Sequence, residues 1–201
     1  GVLLAPLLHL LAIPEWHHYI SVLKHSQTLT AIKNTVLVSL SVGIFCVLLG
    51  VPLAWLLTRT NLPFKSSLRS WFCFPYAVPP FVGAIGWIIL ANPSSGILNK
   101  FFNLNINIYS FFGLVWVETS FLFTFVLLTT LTALDRMDSS LEEAARLSGA
   151  SGLRLFFDIS LPILRPAIFN GFILSFLATA ASFGVPAMIG GPARIYLMTT
   201  Q

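Results

Sequence analysis

The stretch NTVLVSLSVGIFCVLLGVPLAWLLT, residues 34–58, carries no charged side chain. A helix needs about 20 mostly apolar residues to cross a hydrocarbon core roughly 30 Å thick, and this run supplies them. A barrel strand would need about 10 residues in strict apolar–polar alternation, which this stretch lacks. Three further runs repeat the pattern at 70–91, 108–134 and 166–189, and all four together hold one charge, Glu118. The composition of the 201-residue chain agrees, with 56% hydrophobic and 9% charged residues and a mean hydropathy of +0.87. So few charges would not cover the surface of a water-soluble domain. A lipid-facing chain must instead satisfy its backbone internally. The fold class read from these runs is all-α, a polytopic transmembrane helix bundle.

Residues 1–12 are apolar as well but too short to cross a bilayer. With Gly1 at the start and no basic segment ahead of the run, they do not read as a signal peptide. They read as part of a span, and the ending GGPARIYLMTTQ, residues 190–201, is equally abrupt. The expectation is a single transmembrane domain over 1–201, truncated at both ends.

Orientation follows from the basic residues. Arg59, Lys65 and Arg69 lie between the runs 34–58 and 70–91, and Arg136, Arg146, Arg154 and Arg165 lie around the segment 135–165. Those two connections are therefore expected to be cytoplasmic. Lys24, Lys33, Lys100 and Arg194 are spread thinly over the other side. The net charge of +4 then reflects topology and calls for no nucleic-acid partner, because no basic cluster is interleaved with stacking aromatics.

Cys46 and Cys73 fall inside predicted spans, where a thiol behaves as a small apolar group, and their spacing makes no metal motif. His9, His17, His18 and His25 cluster near the start. The adjacent pair His17 and His18 points apart on any regular element and has only Glu15 near it, so a solvated interfacial loop is the better reading and no metal site is expected.

The one charged, glycine-punctuated interruption is EEAARLSGASGLRLFFDISLP, residues 142–162. Ser139 or Ser140 is placed to cap a short helix, with Glu142 and Glu143 in its first turn where the dipole favours negative charge. Ala144, Ala145, Ser148 and Gly149 give that helix a surface of small side chains, and Gly149 permits a sharp turn. This is the shape of a docking loop, and a plain linker is the alternative. The stretch also resembles the EAA loop of binding-protein-dependent ABC transporter permeases: Glu-Ala-Ala, three residues, Gly, nine residues, Ile, one residue, Leu-Pro. Glu143, Ala144, Ala145, Gly149, Ile159, Leu161 and Pro162 occupy those positions here, with Glu142 beside them.

The resemblance implies a type I importer permease of the MetI-like kind in the bacterial inner membrane, multi-pass, with 135–165 as its cytoplasmic coupling loop. It implies a cytoplasmic ABC ATPase dimer as the partner that contacts Glu143 to Gly149, an extracytoplasmic substrate-binding protein, and a second permease half in the same chain or a homologous subunit. No catalytic residue is expected in this chain, and ATP with Mg would sit on the ATPase. The absence of a G-x-x-x-x-G-K-[ST] loop is compatible with that division, since Lys65–Ser66 lacks the glycines that cradle phosphate. The stretches FPYAVPPFVGAIGW, from Phe74, and SFGVPAMIGGP, from Ser182, most resemble the ferric-iron subfamily, with relatives for thiamine and phosphonate, so ferric iron is the expected cargo.

Pro79 and Pro80, followed by Gly83, remove helix hydrogen bonds within the predicted run 70–91, as Pro186 does within 166–189, where Gly184 and the Ser182 hydroxyl stand beside it. Membrane proteins tolerate such breaks where protein or a water-filled cavity meets the freed groups. These residues are candidates for a pathway or gate; kinked packing of small residues is the alternative. Glu118 is the one acid in a predicted span, a functional candidate by default. A packing or interface role is expected for it, with Thr119 or Ser120 as partner. Two other classes are weighed: an intramembrane serine protease, since residues 149–152 spell GxSG, and a proton-coupled carrier. The first lacks a histidine on the same side for Ser151. The second has only Glu118.

Overall fold

The computed structural model describes residues 26–138, 140, 145, 147, 149 and 152–201. Among these the chain is helical and contains no strand. The predicted partial span 1–12, all four histidines, and Ser139, Glu142, Glu143, Ala144, Ala150 and Ser151 lie outside the described residues.

Helix α1, Ser26–Arg59, contains the charge-free stretch 34–58 and begins earlier. At 34 residues it is about 50 Å long. Helix α2, Lys65–Cys73, follows, then a 3-10 turn at Phe74–Ala77 and α3, Pro80–Ala91. A short α4, Ile97–Phe102, leads to α5, Phe111–Arg136. After the loop, Gly152–Arg154 and a π-helical stretch Leu155–Ser160 run directly into α6, Leu161–Ala180. A π turn, Pro186–Gly190, comes last. The start of α5 shows local sequence at work: Ser110 caps it by accepting the Gly113 amide at 3.0 Å.

Two of the predicted runs are corrected. Residues 70–91 do not form one straight span: the segments Lys65–Ala77 and Pro80–Ala91 meet at 99°. Proline explains the bend, because Pro79 and Pro80 have no amide to offer the preceding turn, and Val78 before them is extended. Residues 166–189 do not form one helix either. The helix reaches back into the predicted loop to Leu155 but stops at Ala180, and Ala181–Phe183 separates it from the π turn.

Three helices, α1, α5 and α6, are long and apolar enough to cross a membrane. Helix α5 is the centre, burying Leu114, Val117, Leu127 and Leu134 against Val38, Val42 and Leu57 of α1 and Leu164 of α6. Close approach depends on small residues. A Cβ on Gly171 of α6 would lie 2.7 Å from the Cα of Val126 and 2.6 Å from the Thr129 hydroxyl of α5. Several hydroxyls in the bundle turn back on their own helix, as Thr129 does to the Phe125 carbonyl at 3.0 Å. Ser175 also reaches across to the Leu122 carbonyl at 3.2 Å.

The helix ends are tied in two groups. At one end the Arg59 guanidinium donates to the Leu134 carbonyl of α5 at 3.2 Å, and the Lys65 ammonium to the Thr58 carbonyl at 2.6 Å. Arg69 pairs with Asp135 at 2.7 Å. Trp55 meets Phe156 edge-to-face there, with centroids 5.4 Å apart. At the other end Asn34 donates to the Tyr196 carbonyl at 3.1 Å, and Met198 donates its amide to Thr35 Oγ1 at 2.9 Å. The basic residues assigned to one side by the sequence thus include three that cap C-terminal backbone or pair with Asp135 at one end of the bundle.

Candidate translocation cleft and coupling loop

The cleft forms where the two helix breaks meet. Pro80 and Phe81 open α3, Glu118, Leu122 and Phe125 project from α5, and Ala178 lies in the last turn of α6. Ser182, Phe183, Gly184, Val185, Ala187 and Met188 complete a cavity of about 640 Å³. The breaks make this possible, since a continuous α6 would carry its backbone past the site instead of turning Ser182–Gly184 towards α5. Thr199 donates its hydroxyl to the Ser182 carbonyl at 2.6 Å, holding the break from the far side.

Of the predicted pathway residues, Pro80, Ser182 and Gly184 line the cleft. Pro79, Gly83 and Pro186 do not. Pro79 is the residue before α3, Gly83 packs against the Phe121 ring, and Pro186 is buried. The apolar wall, including Phe81, Leu122, Phe125 and Met188, carries no signal in the sequence, because an apolar residue facing a cleft looks like one facing lipid.

Glu118 joins the same wall and is only 1% exposed. Here the expected partnership is corrected. Ser120 donates to its own helix, to the Trp116 carbonyl at 2.7 Å, and the Thr119 hydroxyl has no partner. Consecutive helical positions point away from each other, so neither neighbour reaches the carboxyl. The Ser182 hydroxyl stands against it instead, while Glu118 Oε1 has no hydrogen-bond partner. No Lys, Arg or His lines the cleft, and no metal-ligating cluster occurs among the described residues.

The expected coupling loop, 135–165, has described residues at the end where Arg59 and Arg69 gather, with Asp135 on Arg69 and Phe156 on Trp55. Gly149 takes φ +86°, an exposed turn that an L side chain would strain, with open space around it. The Ser140 amide donates to Asp138 Oδ1 at 2.9 Å, and the turn that Ser139 or Ser140 is expected to cap lies outside the described residues. That backbone bond and the Ser140 hydroxyl hold the Asp138 carboxyl below the usual carboxylate range. Ala145, Ile159, Leu161 and Pro162 are partly buried, and Pro162 follows closely on the π-helical stretch Leu155–Ser160, the irregular turn that precedes its missing amide.

A multi-pass helical bundle with an apolar cleft between helix breaks and a glycine-turned loop at its basic end is a membrane transport subunit. The model of the family described as "Binding-protein-dependent transport system inner membrane component" matches residues 47–201, and the chain belongs to that family. It is a permease subunit of a type I ABC importer, an inner-membrane protein. The sulfate transport system permease protein CysT of Salmonella typhimurium is 30% identical over 196 residues, covering 94% of this chain and 70% of that one. The molybdenum transport system permease protein ModB of Escherichia coli (strain K12) is 32% identical over 185 residues, covering 87% and 72%. The same fold occurs in the crystal structure of a bacterial alginate ABC transporter in complex with alginate pentasaccharide-bound periplasmic protein. There the TM-score is 0.69 at 18% identity, covering 99% of this chain and 76% of that chain.

Proposed function

We propose that this chain passes a small solute, delivered by an extracytoplasmic binding protein, through the cleft, with a second permease half completing the path. A cytoplasmic ATPase dimer docks on the coupling loop through Glu142, Glu143, Ala144, Ala145 and Gly149, and holds the ATP and Mg. The observation that carries this reading is an unbroken helical run between the loop region and the cleft. Gly149 turns the loop just ahead of the helical stretch from Gly152, which runs without interruption to Ala180 at the edge of the cleft. A push on the loop therefore travels along one helix to the Ser182 break. The test is co-purification with the ATPase and its stimulation by loaded binding protein. Gly149→Asp, which strains the turn and adds charge to a small-residue surface, is expected to abolish both. Unchanged association and stimulation would return the segment to a linker.

Ferric iron is our proposed cargo, on the resemblance of the stretches from Phe74 and Ser182 to ferric-iron permeases. Sulfate or molybdate is the second reading, supported by the names of the relatives above. Thiamine and phosphonate follow from the same subfamily resemblance as iron. ATPase stimulation by the cognate binding protein loaded with each in turn separates them.

A further inference from the structure

Among the described residues, Glu118 is a carboxyl sealed from solvent, with one oxygen unmet, on the wall of a cleft lined by no basic side chain. Burying an unmet acceptor in a low-dielectric interior is costly, of the order of 1–3 kcal/mol in proteins. An intramembrane acid kept at that cost is a candidate for function. Packing alone does not require it, since a leucine or glutamine of similar volume would fill the space without an unmet carboxylate. Around it the cleft offers the Ser182 hydroxyl and otherwise apolar side chains, among them Phe81, Phe125 and Met188. The end of α6 at Ala180 adds the negative pole of a helix dipole to the same region.

We propose that Glu118, seconded by the Ser182 hydroxyl, is a cation-accepting station in the cleft, which favours cargo that is positively charged or carries hydrogen-bond donors over bare oxyanions. Hard cations take oxygen ligands, and a carboxyl, a hydroxyl and the waters of a hydrated ion supply them. A fully deprotonated oxyanion brings no donor to Glu118 and meets a carboxyl in place of the Arg or backbone amides that bind such ions. One carboxyl binds weakly, as a path requires, because an ion held by many ligands would not leave. The proposal rests on the reading of the chain as an importer subunit and sets its cargo apart from the sulfate and molybdate named for the relatives above.

Terbium(III) serves as a hard-cation probe. Trp116, two residues from Glu118 on α5 and edge-to-face with Trp87 at 5.7 Å, acts as its sensitiser. The purified full chain in detergent is expected to give saturable tryptophan-sensitised terbium emission, weakened about tenfold in apparent Kd by Glu118→Gln and about threefold by Ser182→Ala. Elution profile and ATPase association report that each variant is folded. In proteoliposomes with the ATPase and binding protein, Glu118→Gln is expected to lower cargo uptake about tenfold. Terbium emission unchanged in both variants would overturn the proposal, as would uptake of sulfate or molybdate that Glu118→Gln leaves intact. A wild-type chain that recruits no ATPase would instead refute the importer reading, a result the terbium titration does not depend on.

Discussion

At the scale of single residues, the bundle is governed by what small side chains leave out. Gly171 lets α6 approach α5 until a Cβ would press on the Val126 Cα and the Thr129 hydroxyl. Gly171→Leu is expected to cost about 1–3 kcal/mol by overpacking, read as a lower melting temperature of the purified protein. Asp138 acts in the opposite sense, through a group that is present. Its carboxyl is held below its ordinary value by the Ser140 amide and hydroxyl, so the native state favours the ionised form. A carboxyl with a depressed folded value stabilises above its unfolded value, and that contribution is lost as pH falls through the folded one. Asp138→Asn is therefore expected to weaken hydrogen-exchange protection of the Ser140 amide at neutral pH. Below the ordinary carboxylate range, variant and wild type should converge.

Elements carry the link between loop and cleft. The helical run from Gly152 through α6 to Ala180 reaches from the loop region to the Ser182 break, so two regions that the sequence marks separately lie near the ends of one run. The extents of the elements were legible where periodicity had no competitor: α1 and α5 contain long apolar runs, and proline and glycine flagged both breaks. The angle of each break was not legible. Pro79 and Pro80 announce that hydrogen bonds are missing, but the 99° turn between Lys65–Ala77 and Pro80–Ala91 is set by what the halves pack against. Arg69 on Asp135 anchors the first half, and Gly83 against Phe121 seats the second. Likewise, Pro162 looked like the end of a loop, yet the chain stays helical through it, with a π-helical stretch at Leu155–Ser160 just ahead of it.

For the whole molecule, the two tied ends define sidedness. Arg59, Lys65 and Arg69 cluster with the ends of α1 and α5, while the 194–201 segment and the start of α1 meet at the other end. With Cys46 and Cys73 replaced, a single cysteine at Ser66 or Ser140 is expected to react with an impermeant maleimide only from the cytoplasmic face. One at Asn103, exposed after α4, should react only from outside. Labelling of all three from one face would invert or break the topology.

The fold class and the family could be read from the residues, because each rests on local chemistry: apolar run length against bilayer thickness, and the Glu-Ala-Ala to Leu-Pro spacing. Tertiary structure alone decided that Glu118, Ser182, Pro80 and Gly184 share one cleft while Pro79, Gly83 and Pro186 stand outside it. It also decided that Glu118 looks to Ser182, 64 positions along the numbering, and not to its neighbours. A helix turns about 100° per residue, so adjacent side chains diverge, and which distant ones converge depends on how separate helices pack.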